Sequence, residues 1–115
     1  STAFRIRRDD PAPGNRGITY AEFLLSEPEN DEVASPINFV DDKAVPFFIA
    51  HGSDDFPHVV GSSREMVAAL ERNGTQVLSK VYDGLDHYEN NLSQASADND
   101  WVATVRSWMV SAPGA

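Results

Sequence analysis

The stretch Val45-Pro46-Phe47-Phe48-Ile49-Ala50-His51-Gly52-Ser53-Asp54-Asp55 decides the fold. Its first six residues form an unbroken apolar run, the pattern of a strand buried on both faces of a parallel sheet. A polar turn from His51 to Pro57, rich in loop formers, ends the run. Ser62-Ser63-Arg64-Glu65 then has the form of a capping box, which predicts a helix start there. Met66, Val67 and Leu70 fall on one face of that helix with Ala69 nearby, and Asn73-Gly74 supplies a left-handed stop. A second strand is expected from Gln76 to Tyr82, delivering the chain to Asp83-Gly84-Leu85-Asp86-His87.

Strand, helix and strand in this order make a right-handed crossover between parallel strands. Both strands then end at one edge of the sheet, so the loop carrying Asp54 and Asp55 and the loop carrying His87 open side by side. Open α/β sheets bind their ligands at that edge. A carboxylate and an imidazole so arranged are the two supporting members of a Ser-His-acid triad, in which the acid fixes the tautomer of the imidazole and stabilises its protonated form. Either Asp54 or Asp55 can turn toward His87 from such a loop.

Outward from this unit the signals are uneven. Phe4 and Ile6 alternate as in a short strand or an arriving connection, and Arg5, Arg7 and Arg8, followed at once by Asp9 and Asp10, read as a solvated face. Pro11 to Gly17 is breaker-rich loop. Ile18 to Ser26 predicts a short amphipathic helix, either part of a lid or packed on a neighbouring helix. Tyr88 to Asp100 is polar and predicts a loop or a loosely formed helical turn. Trp101, Val102, Val105, Trp108 and Met109 repeat at helical spacing, with Asp98 or Asn99 as cap, the two Trp side chains as core, and Pro113-Gly114 as the stop. Residues 1–40 are thus expected to be an irregular, lid- or cap-like connecting segment, and residues 41–115 an α/β unit. Two parallel strands bury little alone, so the unit is expected to be part of a larger sheet.

Composition excludes several function classes. A net charge of −9 disfavours nucleic acid and anionic lipid as partners, which need clustered Lys and Arg. No apolar run is long enough to cross a bilayer, which predicts a soluble chain with no membrane partner. The absence of cysteine removes a disulfide framework, a thiolate nucleophile and thiolate zinc sites. It leaves the compartment open, with the cytoplasm slightly favoured.

Among the remaining candidates, His51 is expected to be structural, bonding within the strand end, and His58 faces a site mouth or solvent. Asp86 is expected to point away from His87 or to support its loop. A metal site drawn from His51, Asp54, Asp55, His58 and His87 has imidazole and carboxylate ligands but no tight ligand pair. Ser1 or Thr2 is a chemically possible terminal nucleophile with nothing further to support it.

Ser35-Pro36-Ile37, Pro46 to Asp55, Ser63-Arg64-Glu65-Met66 with Leu70, and Tyr82 to His87 together resemble the C-terminal segment of an α/β-hydrolase. The similar branch includes small esterases, dipeptidyl-peptidase-like hydrolases and kynurenine formamidases. The resemblance covers Ala34 to Trp108. It implies that Asp55, ending His-Gly-x-x-Asp, is the triad acid, and that His87, ending Gly-x-x-His, is the base. Phe56-Pro57-His58 after the acid is closer to the formamidase and small-esterase pattern.

One part of that pattern is missing. The family nucleophile sits in Gly-x-Ser-x-Gly upstream of the acid, and no serine here has glycine two positions away on both sides. The resemblance therefore implies the C-terminal part of a parallel hydrolase sheet (strand, helix, strand, helix), incomplete alone. Its serine would come from an N-terminal hydrolase segment or a separate chain, with this chain a subunit, a fragment or a proteolytic product. The implied reaction is cleavage of a small-molecule carboxylic ester or amide, of esterase or formamidase type, with no metal or organic cofactor. The alternative is a non-catalytic module that pairs with a partner chain through its sheet edge.

Overall fold

The structure is a computed structural model that describes residues 4–6 and 25–112. Its elements are helix α1 (Asn30–Ala34), a 3-10 turn (Pro36–Phe39), strand β1 (Phe47–Gly52), helix α2 (Pro57–Arg72), strand β2 (Val77–Tyr82), helix α3 (His87–Ser93) and helix α4 (Trp101–Ser111). The two strands pair in parallel, with Phe47 opposite Val77 and Gly52 opposite Tyr82. The expected small α/β unit is therefore present.

Strand β1 lies two residues further along than the apolar run suggested. Val45 is exposed, Pro46 has no N–H to give a ladder, and pairing starts where Phe47 N–H donates to the Gln76 carbonyl at 3.0 Å. At the other end His51 and Gly52, expected in the turn, continue the ladder opposite Val81 and Tyr82. Alternate residues of β1 face different helices. Ile49 joins Met66, Ala69 and Leu70 of α2 and Ile37 in the buried core, with Phe47, Val67 and Val77 packed against it. Phe48 points the other way, its ring 6.5 Å from Trp101 and 5.9 Å from Trp108 of α4. The two Trp side chains are half-buried, so they cover the sheet from its rim and do not form the centre of the core.

The helix start predicted at Ser62 is wrong. Helix α2 begins at Pro57, whose fixed φ suits the first helical position and whose missing N–H would have had no helical partner. Ser62 and Ser63 are buried one to two turns in. The Ser62 hydroxyl accepts from Phe4 N–H at 3.1 Å instead of capping, and Glu65 accepts from Arg5 Nε at 2.9 Å. The predicted stop is observed. Gly74 has φ +74°, a left-handed conformation that glycine adopts at little cost, and Thr75 N–H closes back on the Leu70 carbonyl at 3.0 Å.

Phe4 to Ile6 form a connection and not a strand. Ile6 N–H donates to the Ser35 hydroxyl at 2.9 Å, and Phe4 accepts from Ile37 N–H at 3.1 Å. The N-cap of helix α4 is Asp100, which makes no side-chain capping bond, and not Asp98 or Asn99 as expected; Asn99, one residue earlier, accepts from Trp101 N–H through Oδ1 at 2.7 Å. Lys80 of β2 pairs with Asp100, with its ammonium 5.1 Å from the centre of the Tyr82 ring. Ser1, Thr2, Arg7, Arg8, most of Ile18 to Ser26 and the Pro113-Gly114 stop lie outside the described residues. No described helix is long and apolar enough to cross a membrane.

Candidate active site

The site forms where β1 and β2 end. Ser53 N–H extends the ladder by donating to the Tyr82 carbonyl at 2.9 Å, and Asp54 N–H donates to the Leu85 carbonyl at 3.1 Å. Ser53 Oγ accepts from Gly84 N–H at 2.8 Å. These three bonds clasp the acid-bearing loop to the base-bearing loop. The clasp also needs an absent side chain, because a Cβ on Gly52 would lie 1.9 Å from the Leu85 carbonyl oxygen.

Two loops so joined bring Asp55 to His87. His87 Nδ1 lies 3.0 Å from Asp55 Oδ1, and the Asp55 side chain is fully buried while His87 retains 28% exposure. An ionised carboxylate only accepts, so with Asp55 ionised this bond selects the tautomer that carries its proton on Nδ1. The same Oδ1 accepts Phe56 N–H at 2.7 Å. The second oxygen, Oδ2, is buried with no hydrogen-bond partner among the described residues. Asp54, the rival carboxylate, is exposed and accepts from the Ser53 hydroxyl at 3.3 Å.

His87 is the first residue of helix α3, whose His87–Ser93 span occupies the first part of the stretch Tyr88 to Asp100 expected as a loop or a loosely formed helical turn. Asp86 Oδ1 accepts Tyr88 and Glu89 N–H, each at 2.8 Å, and Glu89 Oε2 accepts Asp86 N–H at 3.1 Å. This reciprocal box fixes the entry of the helix and with it the base. Asp86 thus supports the loop, as one of its two expected roles allowed. The spacing Asp86-x-x-Glu89 carried the signal, and polar composition masked it.

Aromatic rings surround the imidazole. Phe56 lies 5.1 Å from His87, tilted 32°, and Tyr88 meets it edge-on at 5.5 Å. His58, unassigned from sequence, stacks on Phe56 at 5.7 Å and 8°. His51 is buried in β1, but the bond expected at the strand end is not made, and neither ring nitrogen has a partner among the described residues. Burial pushes the His51 pKa below the ordinary imidazole range, with the Asp55 carboxylate pulling partly back and Arg64 adding to the depression. Among the described residues, no group of three His, Asp or Glu side chains could hold a metal ion.

Parallel strands whose ends carry a bonded carboxylate and imidazole on adjoining loops define an α/β-hydrolase-type arrangement. The model of the prolyl oligopeptidase family matches residues 16–114. The chain belongs to that family, which is one of α/β-hydrolase-type serine hydrolases. No curated protein and no solved structure matches the chain significantly.

Proposed function

We propose that this chain contributes the acid and the base of a Ser-His-Asp triad that cleaves a carboxylic ester or amide. The observation that carries this proposal is the 3.0 Å contact between a fully buried Asp55 carboxylate and His87. The nucleophilic serine is supplied by an N-terminal hydrolase segment or a partner chain. Ser53, two residues before the acid, is engaged through its hydroxyl with Gly84 N–H and the carboxylates of Asp54 and Asp83, and no serine stands in the Gly-x-Ser-x-Gly setting.

In this mechanism Asp55 holds the Nδ1 proton, and Nε2 takes the hydroxyl proton of the serine as it attacks the substrate carbonyl. The imidazolium, stabilised by the carboxylate, then protonates the leaving alcohol or amine. Water hydrolyses the acyl-enzyme by the same path in reverse. Phe56-Pro57-His58 after the acid supports the esterase or formamidase type within this chemistry. Residues 1–40 would serve as the lid- or cap-like segment.

The test combines labelling with substitution. Native material carrying the serine should react with a fluorophosphonate probe and hydrolyse small esters or formamides, and His87→Ala should abolish both. If native material neither labels nor turns over any such substrate, the chain is the non-catalytic module that pairs through its sheet edge. Leu78 and Val81 of β2 are exposed apolar side chains that would suit such pairing.

A further inference from the structure

The bond between His87 Nδ1 and Asp55 Oδ1 holds the imidazole at one edge. Small excursions in the two side-chain torsions of His87 move Nε2, and with it the direction from which a proton can be taken. Packing against the ring limits those excursions, and Phe56 makes one such contact. Its ring centre lies 5.1 Å from that of His87 with the planes tilted by 32°, while Tyr88 meets both rings edge-on, His87 at 89° and Phe56 at 86°. Stacked and edge-on contacts of this kind are the favoured aromatic geometries.

The local sequence explains how Phe56 reaches this position. Pro57 restricts the residue before it to extended conformations, and Phe56 has φ −51° and ψ 136°. In that conformation its N–H donates to Asp55 Oδ1 at 2.7 Å, and its ring contacts both His58 and His87. One residue therefore holds the acid through its backbone and the base through its ring.

We propose, on the footing of the acid–base role above, that Phe56 is a positioning residue that packs against the imidazole of His87 and limits its motion. Phe56 does not touch the reacting atoms. It acts through the imidazole, with Tyr88 and His58 as flanking supports.

The test reads the imidazole directly in the isotope-labelled chain by NMR, and needs no nucleophile. Phe56→Leu should shift the His87 ring-proton signals by removing the ring current, and should speed solvent exchange of the Nδ1 proton by up to about tenfold, the upper range for an aromatic pair. Phe56→Tyr should retain the wild-type signals. Phe56→Met keeps the bulk without a π-face and substitutes for Leu if the Leu variant unfolds. In serine-bearing material, Phe56→Leu should lower kcat by about the same factor with KM unchanged.

A folded Leu or Met variant with wild-type His87 signals and exchange overturns the proposal. So does an unchanged kcat in material that His87→Ala inactivates. Failure of the catalytic role itself shows separately, as an inert wild type whose imidazole signals still respond to the Phe56 series.

Discussion

Gly52 and Leu85 touch backbone to backbone, so closely that the space where a side chain would begin on Gly52 is taken by the Leu85 carbonyl oxygen. This contact lets the end of β1 nest against the base-bearing loop. Gly52→Ala must push the two loops apart, since the atom it meets is main chain and cannot swing aside. The expected outcome is a loss of about 1–3 kcal/mol in urea unfolding, the usual scale for overpacking. Turnover should fall more than stability, because the displaced loop carries His87.

Asp55→Asn keeps the shape of the acid and removes its charge. The amide can present its NH₂ to Nδ1 and select the wrong tautomer. Steady-state assays of serine-bearing material should then show a kcat lower by about 10⁴-fold, the known scale for this change in a triad. A loss below tenfold would remove Asp55 from the triad.

Asp86→Ala breaks the box at the start of α3. Loss of such a cap costs about 0.5–2 kcal/mol, measurable in thermal or urea melts. Asp86→Ser should recover much of it, since a hydroxyl can accept the same N–H groups. The His87 position depends on this helix start, so activity should follow stability across the two variants.

His51 makes the fold acid-sensitive. Its folded-state pKa lies below the ordinary 6.5 because burial disfavours the charged ring. Above pH 6.5 the ring is neutral whether the chain is folded or not, and it adds no pH dependence. As pH falls through 6.5 the unfolded chain takes up a proton that the folded chain resists, so stability declines until the folded pKa is reached. Urea midpoints measured from pH 7.5 downward should show this decline, and His51→Leu should flatten it.

Leu70 has no exposed surface and sits at the centre of the cluster with Ile37, Ile49 and Met66. Leu70→Ala removes three carbons from a site closed on every side. The expected cost is about 2–5 kcal/mol, with the spread set by how far the neighbours collapse into the space. Equilibrium denaturation reads it directly.

Much of this organisation was legible from local pattern. The parallel pair, the Asn73-Gly74 stop and the meeting of an acid with His87 all follow from periodicity, turn chemistry and the geometry of a crossover. The start of α2 did not, because two valid start signals competed and Pro57 prevailed over Ser62-x-x-Glu65. Once Pro57 opens the helix, Ser62 is an interior position whose hydroxyl is recruited by the distant Phe4. Helix α3 was hidden by its polar surface, although Asp86 and Glu89 signalled it. The isolation of His51 and the stacking of Phe56 depend on segments about thirty residues apart or on burial, and neither leaves a trace in local spacing.

Asp55 Oδ1 receives both the Phe56 amide and the His87 ring. A single atom is thus shared by the scaffold and the reaction centre, which ties the register of the polypeptide to the aim of the base. Inserting one residue between Asp55 and Phe56 would put a different N–H beside Oδ1 and carry the Phe56 ring and the start of α2 away from the acid. The turn is thereby sensitive to its length, although Asp54 beside it is exposed.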